Sequence, residues 1–275
     1  MDYVELNIPI AEGEMCEILT AELADYPFES FDEQGGQLKA YIPQVCLADC
    51  KEQVDALLLR YGVTGARYIS IESKNWNAEW ESNFQEVAVG DKILIRAPFH
   101  KDNPAFEHQV VIMPKMSFGT GHHATTYLMS DMISQLDVVG KCGLDMGCGT
   151  GVLAIIAVKY GATSVDAIDI DEWADENCRE NIVQNGVEGR VNPSLGDASR
   201  IEGKSYDFIV ANINRNILLA DMPRYTAALK ESGFLLMSGF FLEDIATLRA
   251  KAETLGLTFV GNSERDGWAV MHLKK

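Results

Sequence analysis

Apolar and polar residues alternate with two different periods in the first quarter of the chain. Strict alternation over residues 2–10 predicts a strand, and apolar residues at helical spacing predict two helices further on. Two short apolar runs flank Gly35-Gly36 and predict a β-hairpin. The six predicted elements fall at residues 2–10, 11–26, 28–31, 38–42, 45–61 and 67–72. Their order, β-α-β-β-α-β, predicts a ferredoxin-like domain over residues 1–72.

A short segment with two tryptophans follows this domain. Trp76 and Trp80 stand four residues apart, which predicts a helical linker over residues 73–85 with the tryptophans on one packing stripe. We expect this linker to let the first domain swing relative to the second.

In residues 86–275, predicted strands alternate with predicted helices. The predicted strands fall at 86–96, 108–113, 142–146, 164–170, 190–195, 206–211, 233–238, 257–261 and 267–273, and the helices at 123–136, 152–160, 172–185, 216–230 and 242–255. This alternation predicts an α/β domain with a mostly parallel, doubly wound sheet. The closing pair of strands predicts one antiparallel strand at the sheet edge.

Composition places the chain among ordinary globular proteins. Hydrophobic residues make up 47% and charged residues 23%, as in a typical soluble domain. No apolar run approaches the roughly 20 residues needed to cross a bilayer, and the first residues carry no secretory signal. None of the six cysteines forms a Cys-x-x-Cys pair, which favours reduced thiols. We therefore expect a cytoplasmic protein with no membrane partner.

The chain is strongly acidic, with a formal net charge of −18 at pH 7. This balance disfavours direct binding to nucleic acid, because phosphate contacts need Lys and Arg. Residues 1–72 contain 14 acidic and 4 basic residues, so about −10 of the charge lies in the first quarter of the chain. Two interpretations of this acidic domain stay open: it keeps the protein soluble, or it docks a basic partner.

A glycine-rich loop between a predicted strand and a predicted helix is the candidate cofactor site. Gly147, Gly149 and Gly151 follow a Gly-x-Gly-x-Gly spacing, whereas a dinucleotide fingerprint needs Gly-x-Gly-x-x-Gly. Asp169 ends the next strand, 22 residues after Gly147, where a carboxylate can accept both hydroxyls of a ribose. The combination favours S-adenosylmethionine (AdoMet) over NAD. Asp197, after the following strand, is either an adenine contact or a solvated loop acid.

A polar residue also follows the predicted strand 206–211. Asn212 stands in the run Asn212-Ile213-Asn214-Arg215, which contains no proline and no aromatic residue. The amide oxygen of such an asparagine can accept a hydrogen bond from an attacking amine, whereas an extruded adenine would need an aromatic side chain for stacking. We therefore predict that Asn212 aims an amine nucleophile. No general base is evident.

Four segments of the sequence carry a family resemblance. They are Trp76 with Trp80, the run Phe-Gly-Thr-Gly-His-His-Ala-Thr-Thr at 118–126, the loop 145–151, and Ala211-Asn212-Ile213. Together they resemble the ribosomal protein L11 methyltransferases, bacterial enzymes that methylate a protein of the large-subunit stalk base. The resemblance covers essentially the whole chain. Two prolines of the family pattern are missing, at Ala124 and within 214–218. Their absence changes the expected rigidity of these loops and not the expected cofactor site.

The resemblance implies a fold, a cofactor and a substrate. The implied fold is a class I, Rossmann-like, seven-stranded methyltransferase domain preceded by a small α+β ferredoxin-like domain. AdoMet would be the methyl donor, S-adenosylhomocysteine the product, and no metal would take part. The implied nucleophiles are lysine ε-amines and the N-terminal α-amine of the stalk-base protein, bound free rather than on the ribosome by a monomeric enzyme.

The resemblance also implies which residues hold the cofactor. AdoMet contacts carry over to Thr126, Gly147, Asp169 and Asn212, and Phe118-Gly119-Thr120-Gly121 would form a lid. Gly149 and Asp197 complete the candidate set from the analysis of the loop and the strand ends.

Other classes of function stay open at the level of sequence. An AdoMet-dependent amine methyltransferase could act on another protein, a nucleic acid or a small molecule. A non-catalytic module would bind AdoMet without turnover. A metal at His122-His123 is disfavoured, because adjacent residues of a helix point in different directions and no carboxylate partner is evident. No motif encodes the methylated positions or the number of methyl groups.

Overall fold

The computed structural model describes residues 3–10, 13–33, 35–71, 84–115 and 117–275. The chain divides into two compact units, Met1–Asn83 and Phe84–Lys275. Residues 73–83 of the predicted linker helix, which include Trp76 and Trp80, lie outside the described residues.

The first unit is a four-stranded antiparallel sheet with two helices. Its elements are β1 Tyr3–Pro9, α1 Glu14–Leu23, β2 Ser30–Glu33, β3 Gln37–Pro43, α2 Gln44–Arg60 and β4 Arg67–Ile71. The sheet order is β2-β3-β1-β4, and every pairing is antiparallel. This is the strand order of a ferredoxin-like split unit, so the predicted architecture of this part of the chain is confirmed.

The alternation in β1 decides which face of this sheet is covered. Val4, Leu6 and Ile8 are buried, and the residues between them are only partly so. Leu19 and Leu23 of α1 are fully buried in the same apolar cluster. A period of two therefore separates core from solvent, as in antiparallel sheets with one solvated face.

The second unit begins with a small sheet that the predicted runs did not resolve. β5 Val87–Val89 and β6 Ile93–Arg96 pair antiparallel, and β7 His108–Val111 runs parallel to β6. The run 86–96 is thus two strands rather than one, because Gly90 turns the chain with a φ of 58°.

A seven-stranded sheet with helices on both faces forms the rest of this unit. Its elements are α3 Ala124–Gln135, β8 Cys142–Met146, α4 Val152–Lys159, β9 Ser164–Asp169, α5 Glu172–Gln184, β10 Val191–Leu195, β11 Tyr206–Asn212, α6 Arg215–Ala228, β12 Leu229–Phe241, α7 Ile245–Thr254, β13 Thr258–Arg265 and β14 Trp268–Lys274. The sheet order is β10-β9-β8-β11-β12-β14-β13. The first five strands of that order are parallel, which confirms the predicted doubly wound α/β fold.

The expected place of the antiparallel strand was wrong. β14 is antiparallel to both of its neighbours, but it lies between β12 and β13 rather than at the edge. Burial gives the reason: β14 is buried at most positions, whereas β13 is largely exposed. The more apolar strand takes the inner position, and the polar strand covers the sheet edge.

Two further boundaries differ from the predicted ones. β12 begins at Leu229 and continues to Phe241, past a register shift between Ser238 and Phe240. Gly239 makes this bulge possible with a φ of 93°. α7 begins at Ile245, because residues 242–244 form a 3₁₀ turn.

Apolar clusters fill both faces of the seven-stranded sheet. One cluster contains α3, α4 and α5 with the small sheet, and the other contains α6 and α7. α4 is buried from Val152 to Val158, because β9 covers one side and α3, α5 and β7 cover the others. Within the described part of the chain, no helix is both long and apolar enough to cross a membrane.

Candidate active site

A cavity of about 590 Å³ opens at the carboxyl ends of the parallel strands. It receives Met146 from β8, Ile168 and Asp169 from β9, and Asn212 from β11. The crevice lies where β8 has β9 on one side and β11 on the other. Ligands of open α/β sheets bind at such a switch point. The remaining lining residues are Ser117, Phe118, Gly147, Gly149, Ile170, Asp171, Ala174, Gly196, Asp197, Ala198, Ile213, Ile217 and Asp221.

The glycine-rich loop forms one wall of the cavity and leads into α4. Gly147 and Gly149 have φ values of 71° and 52°, which other residues adopt only with strain. A Cβ at Gly147 would collide with the side chain of Ile213, and a Cβ at Gly149 would collide with the carbonyl of Phe118. Glycine is therefore required here by both backbone conformation and space, and the bare backbone stays open to a ligand.

Asp169 links the glycine-rich loop to the end of β9. Its Oδ2 accepts a hydrogen bond from the Gly149 N–H at 2.8 Å, and its Oδ1 accepts one from the Asp171 N–H at 3.1 Å. These two bonds fix the orientation of the carboxylate at the cavity wall. Each oxygen retains a lone pair, so the group can still accept hydrogen bonds from two neighbouring hydroxyls.

The cavity lining is acidic on one side and apolar on the other. Four aspartates contribute to it, at 169, 171, 197 and 221, and no lysine, arginine or histidine is among its described lining residues. Hydrogen bonds from Ser199 hold the pKa of Asp197 below its usual range. Ile170, Ile217 and Phe118 add exposed apolar surface at the opening. This lining suits a cation with an apolar ring and repels a phosphate.

Asp145 lies buried behind this cavity near the end of β8. Its Oδ2 accepts a hydrogen bond from the Ala154 N–H at 3.0 Å, and its Oδ1 has no partner among the described residues. Burial, together with a smaller contribution from the nearby charge of Asp169, raises the pKa of this carboxyl group to about 7, although the hydrogen bond from the Ala154 N–H opposes the shift. A carboxyl group that titrates near neutral pH is a feature of functional sites.

Asn212 ends β11 with an unsatisfied polar atom. Its Oδ1 is buried and accepts no hydrogen bond from the described part of the protein. Buried acceptors normally have a partner, so this oxygen is available to a donor that enters the cavity.

The segment that precedes α3 is anchored to the glycine-rich loop. The Phe118 carbonyl accepts a hydrogen bond from the Thr150 N–H at 2.9 Å, and the Gly119 carbonyl accepts one from the Thr150 hydroxyl at 2.8 Å. The Phe118 side chain is 52% exposed and contributes to the cavity lining. Gly119 and Thr120 do not line the cavity, and Thr120 contacts His122 instead.

Comparisons with known proteins agree with this geometry. A family model described as ribosomal protein L11 methyltransferase (PrmA) matches residues 14–275. The chain belongs to this family. A relative from Phocaeicola vulgatus, named ribosomal protein L11 methyltransferase, is 42% identical and covers 98% of each chain. A relative of the same name from Porphyromonas gingivalis is 45% identical over 93% of this chain and 89% of its own.

A solved structure supports the fold of the catalytic unit. The crystal structure of a ribosomal protein L11 methylase from Lactobacillus delbrueckii subsp. bulgaricus matches with a TM-score of 0.65 and 25% identity, over 69% of this chain and 98% of that one. Membership of this family makes the protein an AdoMet-dependent methyltransferase. The acidic and apolar lining of the cavity fits this cationic cofactor.

Six of the nine candidate cofactor residues line the cavity. They are Phe118, Gly147, Gly149, Asp169, Asp197 and Asn212. Gly119, Thr120 and Thr126 do not line it. Thr126 is fully buried at the start of α3, and its hydroxyl has no partner within the described residues.

Sequence analysis missed two aspartates of the cavity and the role of one aspartate buried behind it. Asp145 lay in the quoted loop motif, but only burial reveals its raised pKa. Asp221 reaches the cavity from α6 and also pairs with Arg224 at 2.9 Å. Asp171 lies two residues after Asp169, where its carboxylate caps the first turn of α5. The start of a helix shortly after Asp169 was the one signal that could have identified Asp171.

The two adjacent histidines have protein partners. His122 contacts the Gln85 carbonyl through Nε2 at 2.9 Å and the Thr120 hydroxyl through Nδ1 at 3.2 Å. The His123 side chain caps the start of α3 by accepting from the Thr125 N–H. Among the described residues, no group of three or more His, Cys, Asp or Glu side chains is arranged to hold a metal ion.

We predict that Asp169→Ala weakens AdoMet binding about 10- to 100-fold. The reason is the loss of charge-assisted hydrogen bonds to the ligand together with the loss of the bond that orients Gly149. Isothermal calorimetry measures the affinity. Asp137→Ala, an exposed aspartate in the turn before β8, is the matched control. An unchanged affinity for Asp169→Ala would contradict the ribose assignment.

The raised pKa of Asp145 predicts a specific dependence of stability on pH. The native state keeps the proton up to about pH 7, whereas the unfolded chain loses it near 3.8. The native state therefore binds more protons between these values, and the free energy of unfolding falls as pH rises through this range. Asp145→Asn, which retains an acceptor for the Ala154 N–H, should remove this fall.

Urea denaturation of the cofactor-free protein at pH 5 and pH 8 tests this expectation. The stability of Asp145→Asn relative to wild type should be greater at pH 8 than at pH 5. Asp137→Asn, an exposed carboxyl change of the same kind, should show no such difference. Equal pH profiles for wild type and Asp145→Asn would show that Asp145 does not titrate in this range.

Proposed function

We propose that this enzyme methylates lysine ε-amines and the N-terminal α-amine of ribosomal protein L11, which it binds as a free protein. The substrate follows from the names of its relatives. The observation that carries the amine assignment is the buried, unpartnered Oδ1 of Asn212 at the lining of the acidic cavity. We further propose that the enzyme is a cytoplasmic monomer that uses no metal and makes no direct contact with nucleic acid.

In the proposed cofactor site, five lining residues have separate roles. Asp169 accepts the ribose hydroxyls, Asp197 lies where it can accept the adenine amine, and the backbone of Gly147 and Gly149 allows close approach. Phe118 closes the opening of the cavity. Two observations support these roles. All five residues line the same cavity, and a hydrogen bond fixes the orientation of the Asp169 carboxylate.

Three candidate residues would act from behind the lining. Gly119 and Thr120 belong to the segment that holds Phe118 in place, and the Gly119 carbonyl is bonded to Thr150 of the glycine-rich loop. Thr126 does not line the cavity, but its buried hydroxyl has no partner among the described residues. This free hydroxyl supports a role for Thr126 in binding the cofactor.

The main difficulty of the reaction is the protonated amine. With a lysine pKa near 10.4, about one amine in 10³ is neutral at pH 7, a cost of roughly 4–5 kcal/mol. The apolar side chains of Ile213, Ile217 and Phe118 at the cavity would desolvate the amine and so lower its pKa. AdoMet supplies the methyl group, and S-adenosylhomocysteine is the product.

Positioning, rather than a strong base, carries the catalysis in this proposal. Histidine and lysine are absent from the described cavity lining, and the Asp197 carboxylate has a lowered pKa. Asn212 Oδ1 would accept one hydrogen bond from the amine and aim its lone pair at the methyl carbon. The proton leaves to solvent before the attack.

The acidic first unit is the proposed docking domain for the substrate. About −10 of the net charge lies in residues 1–72, and ribosomal proteins are basic. Many of its carboxylates, including those of Asp25, Asp49 and Glu52, are exposed and free to meet a partner. Complementary charge speeds encounter and sets orientation more than it deepens affinity.

A labelling experiment tests the substrate assignment. The enzyme is incubated with methyl-labelled AdoMet and a ribosome-free cell extract, and the labelled product is identified by mass spectrometry. Label on lysines and the N-terminus of L11 is expected. Label confined to another protein, a nucleic acid or a small molecule would show that L11 is not the substrate. Binding of AdoMet without transfer of label would point to a non-catalytic module.

We predict that Asn212→Ala lowers kcat at least tenfold, which is 1.36 kcal/mol of barrier, while AdoMet affinity changes less than threefold. The amine loses its orienting acceptor, but most cofactor contacts remain. Single-turnover kinetics with bound AdoMet isolate the chemical step. Asn192→Ala on the outer strand β10 is the control. A kcat within threefold of wild type would remove Asn212 from the orienting role.

Neutralising exposed acids of the first unit should reduce kcat/KM on L11 without affecting AdoMet binding. The variant is Asp25→Asn with Asp49→Asn and Glu52→Gln. Because exposed charges act over a Debye length of about 8–10 Å, wild-type kcat/KM should fall as salt rises, and the variant should show a weaker salt dependence.

The matched control neutralises three exposed acids of the second unit. It combines Glu176→Gln, Glu188→Gln and Glu202→Gln. Docking through the first unit requires that this control keep the wild-type salt dependence. Equal losses in both triple variants would mean that only net charge matters, and no loss in either would assign the acidic surface to solubility.

A further inference from the structure

Three asparagines lie four residues apart along one face of α5. Asn177 and Asn181 are fully buried, and Asn185, at the end of the helix, is half-buried. Residues four apart in a helix lie one above the other, so the three amides form a polar stripe beside the apolar residues Cys178 and Ile182. Asparagine is mostly exposed in proteins, and a buried amide normally has hydrogen-bond partners that explain its position.

The segment after β7 bonds to this stripe as a strand bonds to its neighbour. Val111 donates its N–H to Asn185 Oδ1 at 2.9 Å, and its carbonyl accepts from Asn185 Nδ2 at 2.6 Å. The next N–H, that of Ile112, points the other way and donates to the Arg96 carbonyl of β6 at 2.8 Å. The segment therefore has β6 on one side and the side chains of α5 on the other.

Asn181 joins this segment to the glycine-rich loop. Its Oδ1 accepts a hydrogen bond from the Met113 N–H at 2.9 Å, and its Nδ2 donates to the Thr150 carbonyl at 2.9 Å and to Asn177 Oδ1 at 2.8 Å. The backbone N–H can only donate and the backbone carbonyl can only accept, so the two partners fix the orientation of the amide. Within the described residues, neither Asn177 nor Asn185 bonds to the glycine-rich loop.

Thr150 connects Asn181 to the wall of the cofactor cavity. It is fully buried, and all of its polar groups have partners. Its carbonyl accepts from Asn181, its N–H donates to the Phe118 carbonyl, and its hydroxyl donates to the Gly119 carbonyl. A continuous series of hydrogen bonds therefore runs from α5 through Thr150 to Phe118, which lines the cavity.

Close packing leaves the loop little room to adjust around this series of bonds. A Cβ at Gly119 would collide with the Thr150 hydroxyl, and a Cβ at Gly151 would collide with the Cys178 sulfur of α5. The glycine-rich loop is thus held between α5 on one side and the segment of Phe118 on the other. A change in the position of the Thr150 peptide would be passed on to Phe118.

We infer that Asn181 is a positioning residue for the cofactor, because it fixes the Thr150 carbonyl and thereby holds Phe118 at the cavity. The inference rests on the proposed place of AdoMet in that cavity. Asn181 does not line the cavity, so it acts through Thr150 and Phe118 rather than by touching the ligand. Loss of its amide leaves the carbonyl of the buried Thr150 without a partner, and the loop must move to satisfy it.

The first test compares Asn181→Ala with Asn185→Ala by calorimetry and steady-state kinetics. Asn181→Ala should weaken AdoMet affinity about tenfold and raise the KM for AdoMet in parallel, with kcat at saturating AdoMet within about threefold of wild type. Asn185→Ala is the matched control, because it loses two bonds to the same segment but none to the glycine-rich loop.

The control separates positioning from mere stability. Asn185→Ala should lower the free energy of unfolding in urea and keep AdoMet affinity within about twofold of wild type, because partial unfolding removes binding sites without weakening those that remain. Equal losses of AdoMet affinity in the two variants would overturn the inference. Thr150→Val breaks the same series of bonds at the Gly119 carbonyl and serves where Asn181→Ala does not fold. An unchanged AdoMet affinity in Thr150→Val would also overturn it.

A double-mutant cycle tests whether Asn181 acts through Phe118. Phe118→Ala removes the side chain that Asn181 is inferred to hold. In that background Asn181→Ala should cost less than about threefold in AdoMet affinity, because residues that act through one another are not additive. The same tenfold cost in both backgrounds would show that Asn181 does not act through Phe118 and would overturn the inference.

Hydrogen exchange separates this inference from the proposed cofactor site. In the cofactor-free enzyme, Asn181→Ala should speed exchange in peptides that contain the Thr150 N–H at least about fivefold, whereas Asn185→Ala should affect only peptides around residues 108–113. If Asp169→Ala leaves AdoMet affinity unchanged but exchange at Thr150 rises in Asn181→Ala, the place of the cofactor is wrong and the hold of Asn181 on the loop stands. Unchanged exchange at Thr150 would overturn the role of Asn181.

Discussion

The winding of the sheet changes direction at β8, and the active site depends on this reversal. From β8 the chain proceeds to β9 and β10 on one side, and then crosses to β11 on the other. The helix after β8 packs on one face of the sheet, and the helix after β11 packs on the opposite face. The two connections therefore diverge at the carboxyl edge and leave a crevice between them. Gly147, Asp169 and Asn212 occupy that edge only because each ends or follows one of these three strands.

The crevice and the strand end behind it contain groups that a purely structural core would avoid. Asp145 is buried with one oxygen unpartnered, and the amide oxygen of Asn212 is in the same condition. Asp169 is the exception, since two backbone N–H groups satisfy and orient it. Unsatisfied buried acceptors lower stability, and proteins tolerate them mainly where function requires them. A ligand with N–H donors would complement the open acceptor of Asn212.

Local chemistry made the glycine-rich loop predictable, whereas long-range strand pairing hid the order of the last strands of the sheet. The glycines needed positive φ and close packing within a few residues, and Asp169 follows them at a spacing that one strand-helix-strand unit fixes. Trp268 pairs with the carboxyl end of β12 only because β14 lies between β12 and β13, and no local sequence pattern predicts this strand order. The length of β12 was underestimated because Gly239 interrupts the alternation that marks a strand. Thr126 was carried over from a motif, and its side chain is buried outside the cavity lining.

The sign of the charge in the crevice, rather than the fold, selects the cofactor. Doubly wound sheets of this kind also hold dinucleotides, which share a carboxylate at the ribose but whose pyrophosphate needs N–H donors and is repelled by further carboxylates. Here Asp169, Asp171 and Asp197 line the cavity, and no cationic residue in its described lining offsets them. At an effective dielectric constant of about 20, one pair of charges 4 Å apart contributes about 4 kcal/mol, so a phosphate would be repelled where a sulfonium and an ammonium are attracted.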